Sequence, residues 1–388
     1  MDSLINNFSE RALSENDREN LRLYNRVKAR VEQGISQQDR LLEKVAAMVI
    51  RDKLVAPTAM RFFSLGDQLR MSYGTKNVGP EGSLTIHKHA ITQLAGKVNL
   101  PITYVNYLQS KTEPWKMEML AHILDGSYAN TKFPDRAGNP KFLHRIVGTE
   151  LRGFLSRRFN RHIASAPLLR SFIESCTQVG AVPFDATVSD IKVALKCLLP
   201  HVFEPVKGEY LCVGVEWSNS DFGAGRMQVA LSMWMPQGDR FTVLDHVISR
   251  VHIGSVIEET DVDISDETAR KEAEAQASAI RDSVVGQLSS ESVDRLLNAV
   301  EMAHTENIPW HSLKGQLSRF LGKKDVETLQ SLLEDDVLDL PAVHSVEGVK
   351  TPTKWWAAQA LSWLANRTED AEKKLELQHA AGSFLEVK

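Results

Sequence analysis

Residues 211–235 carry the clearest structural pattern of the chain: LCVGVEWSNSDFGAGRMQVALSMWM. Apolar side chains occupy every second position over 211–217 and again over 227–235, which is typical of strands with one buried face. Between these strands, residues 218–225 are rich in Ser, Asn, Asp and Gly, which favour tight turns. We therefore predict a β-hairpin whose two strands are joined by an exposed turn.

The regions on either side of this hairpin differ in character. Upstream, helical spacing predicts helices over 14–33 and 37–54 and further helices up to residue 126, followed by short strands. After residue 260 the pattern is helical again. We predict an α+β fold with a mainly antiparallel sheet, in which Trp217 and Val229 face the core. Its parts are a helical N-terminal arm (1–57), an α+β core domain (58–260) and a helical C-terminal module (261–388).

The last predicted helix, residues 354–381, carries three tryptophans: Trp355, Trp356 and Trp363. Their large indole rings favour a packing role, and base stacking or a groove for a partner are the alternatives. A break is predicted near residues 366–368, where Thr368 can cap the second part of the helix.

Four motifs, taken in order, resemble a family of phage- and plasmid-borne proteins of unknown function. They are HKHAITQLAGKVNLPITYVNYL (87–108), LRGFLSRRFNRHI (151–163), the hairpin with the following RVHIG (250–254), and WWAAQALSWLANRTEDAEKKLELQHAAGSFLE (355–386). In that family the hairpin reads Gly-Val, then Asn-Ser-acid-x-Gly, before a basic His-Gly strand. One turn departs, since the family has Cys-x-Asn-Gly where this chain has Pro236-Gln237-Gly238-Asp239. The resemblance implies a phage- or plasmid-encoded protein of a bacterial cell.

The composition is typical of a globular cytoplasmic protein. Of 388 residues, 43% are hydrophobic and 25% are charged, and no apolar run reaches the length needed to cross a bilayer. The N-terminus lacks the basic and apolar segments of a secretory signal. Three widely spaced cysteines, Cys176, Cys197 and Cys212, favour buried free thiols in a reducing compartment. We expect no membrane partner.

Familiar catalytic and cofactor motifs are absent from the sequence. It contains no phosphate-binding Gly-x-x-x-x-Gly-Lys loop, no His-Glu-x-x-His and no nucleophile elbow. We therefore assign no catalytic residue, no metal ligand and no cofactor. His87 and His89 fit a helix cap better than a metal site. A weaker alternative is a hard-cation site formed by the carboxylates of the hairpin region, Glu216, Asp221, Asp239 and Asp245.

The positive signal is a concentration of arginine. Residues 136–170 contain eight Lys and Arg side chains and one acid, Glu150, although the whole chain has a net charge of −4. Guanidinium groups bind phosphate oxygens in pairs, and aromatic rings stack on unpaired bases. We predict a nucleic-acid-binding surface formed by Arg145, Arg152, Arg157, Arg158, Phe159, Arg161, Arg250 and His252. Ion pairs with the acidic helices after residue 258, or another anionic ligand, are the alternatives.

Together these features predict a non-catalytic nucleic-acid-binding protein. Single-stranded DNA is favoured over duplex, with binding or annealing during replication or recombination of a mobile element, as a homo-oligomer. The first alternative is an interaction protein that binds and inhibits a host or defence factor. The second is a cation-dependent nuclease. Salt-sensitive oligonucleotide binding separates the first two functions, and metal-dependent cleavage identifies the third.

Overall fold

The computed structural model describes residues 15–74, 82–109, 113–133, 140–156, 165–250, 266–335, 343–346 and 349–385. Within these ranges, the side chains of 15–19, 245–250, 266, 268, 269, 272, 343–346 and 349 lie outside the description. The predicted α+β class is confirmed, because two six-stranded, mainly antiparallel sheets are combined with helices before, between and after them.

Helix α1 spans Glu15–Ala47 without a break, so the prediction of two helices separated near Gly34 is wrong. A Cβ atom at Gly34 would lie 2.5 Å from the Cα of Phe184, in strand β7 (Val182–Val188). This glycine therefore serves close packing of the helix on the strand, and it does not end the helix. The predicted continuation to residue 54 is also wrong, because β1 (Ile50–Val55) is a strand.

The first sheet has the strand order β1-β5-β6-β4-β3-β2, with β4 and β6 parallel and the other pairs antiparallel. Its remaining strands are β2 (Met60–Leu65), β3 (Gln68–Tyr73), β4 (Leu84–Ile86), β5 (Phe142–Val147) and β6 (Glu150–Ser156). Helices α2 (Lys88–Lys97), α3 (Ile102–Gln109) and α4 (Pro114–Asn130) share a hydrophobic core with it. The predicted cap is confirmed, because the His87 side chain accepts a hydrogen bond from the amide of His89.

The second sheet has the order β12-β11-β10-β8-β7, with β9 paired to β10. Its strands after β7 are β8 (Val193–Leu198), β9 (Phe203–Val206), β10 (Glu209–Asn219), β11 (Met227–Met235) and β12 (Arg240–Arg250). The predicted hairpin is confirmed as β10–β11, with Trp217 opposite Val229 and both side chains fully buried. Helices α1 and α5 (Ser165–Gln178) pack on this sheet.

The C-terminal part is mainly helical: α6 (Asp266–Gln287), α7 (Ser290–Thr305), α8 (Trp310–Leu317), α9 (Lys323–Glu334), the hairpin β13 (Val343–Val346) and β14 (Val349–Pro352), α10 (Lys354–Asn366) and α11 (Ala371–Gly382). Trp355 and Trp356 are buried in the core shared with β10 and β11, which confirms their packing role. The predicted helix break is confirmed, but its cap is Asp370, which accepts from the amides of Glu372 and Lys373, and Thr368 was the wrong choice.

Two further expectations concern the thiols and the membrane. Cys176, Cys197 and Cys212 are buried free cysteines, as predicted. Within the described ranges, no helix combines the length and apolar character that crossing a bilayer requires.

Candidate functional site

The hairpin turn of residues 218–225 is the centre of the candidate site. We predicted an exposed turn, and this is wrong, because Asn219, Ser220 and Phe222 are each at most 1% exposed. The turn inserts against the first sheet and its helix α2. Gln93 donates a hydrogen bond of 2.9 Å to the carbonyl oxygen of Phe222, and His89 Nε2 lies 3.1 Å from the same oxygen.

Local hydrogen bonds hold this buried turn in one shape. The Ser220 hydroxyl donates to the carbonyl of Ile191 over 2.7 Å and accepts from the amide of Ala224 over 2.8 Å. Gly223 has a φ of 80°, a conformation that glycine adopts without strain. The polar residues that we interpreted as solvent-facing therefore satisfy the backbone of a buried connection.

A cavity of about 360 Å³ lies beside the turn, between the two sheets. Residues from six elements and their connections line it: Val45, Met48, Ile50, Asp52, Arg145, Ser165, Ala166, Ser189, Ile191, Lys192, Val193, Asn219, Asp221 and Phe222. Ser165 and Asn219 are buried, whereas Asp52 keeps 34% of its side chain exposed. The polar inner end and the partly exposed charged edge are typical of a ligand site.

A chain of hydrogen bonds forms the inner end of the cavity. The Asn219 amide donates to the Ser165 hydroxyl over 3.0 Å, and that hydroxyl donates to Asp221 Oδ2 over 2.6 Å. Burial raises the pKa of Asp221, although the Ser165 hydroxyl and the Arg145 guanidinium act in the opposite direction. Perturbed carboxyl groups in a cavity mark candidate functional sites.

Two of the predicted arginines lie at or near this cavity and have internal partners. Arg145 is 5% exposed; its Nε lies 3.3 Å from Asp52, and its guanidinium donates to the carbonyl oxygen of Asp221. Arg152 pairs with Glu150 over 2.7 Å and reaches Asp190, at 3.8 Å from the carboxylate. Ion pairing was one of our alternatives, but these partners belong to the two sheets and their loops, not to the acidic helices after residue 258.

The other predicted nucleic-acid contacts belong to two further segments of the chain. Arg157, Arg158, Phe159, Arg161 and His252 lie outside the described residues, and for Arg250 only the backbone is described, opposite Met227 in the second sheet. The described chain ends at Ser156 in β6 and resumes at Ser165, which lines the cavity. The basic segment is therefore flanked by Ser156 and Ser165, and Ser165 belongs to the candidate site.

The carboxylates proposed for a cation site have separate partners. Glu216 is fully buried, with Lys196 Nζ at 3.0 Å and His379 Nε2 at 2.8 Å. Asp239 accepts a hydrogen bond of 2.7 Å from Trp234 Nε1, and the side chain of Asp245 is not described. Among the residues that the structure describes, no group of three His, Cys, Asp or Glu side chains could hold a metal ion.

Several site residues were missed by sequence reasoning. Asp52, Ser165 and Lys192 stand in segments without a motif, and they meet only because the two sheets pack together. Lys196 was detectable in principle, since it interrupts an apolar strand, whereas Glu216 was considered only as a possible cation ligand. Burial alone would raise the pKa of Glu216, but the Lys196 ammonium and His379 hold it below its usual range.

Comparisons of this chain with protein-family models, with curated proteins and with solved structures find no match. The resemblance to the phage and plasmid family therefore stays a prediction that rests on the quoted motifs.

Proposed function

We propose that this chain binds single-stranded nucleic acid without a catalytic step, in the replication or recombination of a phage or plasmid. One observation carries the proposal: residues 136–170 hold eight basic side chains and one acid within a chain whose net charge is −4. Such a chain gains little from overall attraction to a polyanion, so its affinity has to come from a local surface.

The internal partners of Arg145 and Arg152 reduce the number of residues that we assign to phosphate contact. Arg145 pairs with Asp52 in the cavity lining, and Arg152 pairs with Glu150 and Asp190 beside it, so both guanidinium groups have structural partners. Phosphate contact is assigned to the arginines of the segment that follows β6. They are Arg157, Arg158 and Arg161, with Phe159 for stacking on a base and with Arg250 and His252 at the margin.

The position of the cavity supports the same proposal. Lys192 lies at its edge, and no ion pair joins Lys192 to another described residue. Ser165, the first described residue after the basic segment, is held there by Asp221 and Asn219. A strand bound by the arginines would therefore lie within reach of a polar cavity with the Lys192 ammonium group at its edge.

The test removes the three assigned arginines together. We expect Arg157→Ala/Arg158→Ala/Arg161→Ala to weaken oligonucleotide binding and to lower the salt slope of log K by about 0.7 per lost phosphate contact, since fewer counterions are released. The matched control, Arg270→Ala/Lys323→Ala/Lys324→Ala, removes three exposed positive charges from helices α6 and α9. Fluorescence anisotropy with a labelled single strand measures both. Equal losses in the two variants would contradict a local site.

Binding of a protein partner is the second candidate function, and one feature favours it. Helices α3 and α4 expose large apolar side chains: Ile102, Tyr104, Tyr107, Trp115 and Met119 are each 38–50% exposed. Clusters of this kind are typical of protein interfaces. Sedimentation over a concentration series tests whether a second copy of the chain occupies this surface.

A further inference from the structure

The cavity between the sheets has apolar sides. Val45, Met48 and Ile50 contribute from the end of α1 and from β1, and Ile191 and Val193 contribute from the start of β8. Phe222, in the buried turn, completes the apolar lining. A volume of about 360 Å³ suits one ring system with its sugar, and it is too small for several nucleotides.

The polar lining of this cavity combines hydrogen-bond donors and acceptors. Asn219, Ser165 and Asp221 form the inner end, where they are joined by hydrogen bonds of 3.0 and 2.6 Å. At the edge, Asp52 is paired with Arg145, and Lys192 adds an ammonium group. Because both charge signs are present, the lining suits a neutral ring with donors and acceptors better than a bare anion or a metal ion.

Nucleobases have this chemistry. Asn, Asp and Ser side chains bond the edges of bases, and enzymes that take up an unstacked base hold it between apolar side chains in a closely fitting pocket. The sugar phosphate of such a base carries a negative charge, which a lysine at the edge of the pocket can bind.

We propose that this cavity is a nucleobase pocket, which takes one unpaired base of the strand between residues 45–52 on one side and 189–193 on the other. This inference rests on the proposed strand binding and deepens it. In this proposal the cavity binds the base, and the arginines contact the phosphates.

A cavity-filling variant tests the pocket. Met48 lies at the edge of the cavity and is partly exposed, so Met48→Trp adds bulk there. The matched control is Val49→Trp, since the neighbouring Val49 is 68% exposed and does not line the cavity. We expect the wild type and Val49→Trp to bind deoxynucleoside 5′-monophosphates in calorimetric titrations. We expect Met48→Trp to bind them at least tenfold more weakly.

A second measurement on the wild type needs no variant. A single strand with bases is compared with an abasic strand of the same length, and a nucleotide with deoxyribose 5-phosphate. The pocket predicts weaker binding of both ligands that lack the base, since stacking and edge contacts contribute about 1–3 kcal/mol per base. Equal binding with and without the base, or unchanged nucleotide binding by Met48→Trp, would overturn the pocket.

The two proposals fail in different ways. If oligonucleotides bind and the base makes no difference, the pocket is wrong and strand binding stands. If nucleotides bind in a base-dependent way and oligonucleotides do not, the pocket stands as a site for free nucleotides, and strand binding is wrong.

Discussion

At the scale of single residues, three charged side chains meet in the interior of the second sheet. Lys196 lies opposite Glu216 in the second sheet and opposite Asp185 on its other side, and all three side chains are buried. Lys196 Nζ is 3.0 Å from Glu216 and 3.5 Å from Asp185. The attraction within a buried charged cluster of this kind offsets the cost of desolvation only while every partner is present.

Removing the lysine should therefore be costly. We expect Lys196→Met to lower the free energy of unfolding by about 3–5 kcal/mol, because it removes the buried ammonium that Glu216 and Asp185 share and leaves them only His379 and Arg30 as partners. Urea denaturation measures this, with Lys323→Met, at a position that is 91% exposed, as the control. A loss below 1 kcal/mol would mean that the carboxylates do not depend on Lys196.

His144 links stability to pH. Its ring is fully buried in β5, with Nδ1 at 2.9 Å from the hydroxyl of Tyr73. Burial, with a smaller contribution from Lys53, lowers the pKa of His144 to about 3. The unfolded chain, with a histidine pKa of about 6.5, binds this proton more readily, so stability is complete above pH ~6.5 and falls towards pH 3.

We expect His144→Asn to remove part of this dependence. Between pH 6.5 and 4.5 the wild type should lose up to about 1.4 kcal/mol per pH unit at this site, and the variant should lose less. Thermal or urea unfolding over a pH series measures the slope. His122→Asn, at an exposed position of α4, is the control and should keep the wild-type slope. An unchanged slope in His144→Asn would contradict the neutral buried ring.

At the scale of elements, the sequence predicted a strand or helix correctly where the residue pattern depends on that element alone. The alternation around Val215 and Leu231 predicts the hairpin correctly. The expectation that only one face is buried is wrong, because Glu216 and Trp234, on the opposite face, are buried as well. Gly34 shows the limit of this reasoning. Whether a glycine ends a helix or lets it approach a neighbour depends on the partner strand, and β7 lies about 150 residues later in the chain.

Because Gly34 lies against the backbone of β7, we predict that one added methyl group at this position lowers the stability of the fold. We expect Gly34→Ala to destabilise the chain by about 1–3 kcal/mol, since its Cβ would overlap the backbone of β7. Gly286→Ala in α6 is the control, because nothing lies within 4 Å of its Cβ position. There the higher helix propensity of alanine should leave stability unchanged or raise it by up to about 1 kcal/mol. Thermal unfolding compares the two variants. Similar effects would contradict the packing of α1 on β7.

At the scale of the whole molecule, the candidate site arises from the contact between the two sheets. The Asn-Ser-Asp-Phe-Gly turn was identified from its composition, but its burial was not, because the residues that cover it, His89 and Gln93, belong to the other sheet's helices. Asp52 and Lys192 joined the site for the same reason. The arginine segment was recognised from charge alone, and Arg145 and Arg152 turned out to have internal partners that local sequence does not reveal.

The most direct test of the central proposal is the affinity of the wild-type chain for a labelled single-stranded oligonucleotide, measured by anisotropy over a salt series. We predict binding at low salt that weakens as salt rises, with a slope of about 0.7 per phosphate contact, and weaker binding of the matching duplex. Absence of binding at the lowest salt, or binding that does not depend on salt, would contradict the proposal.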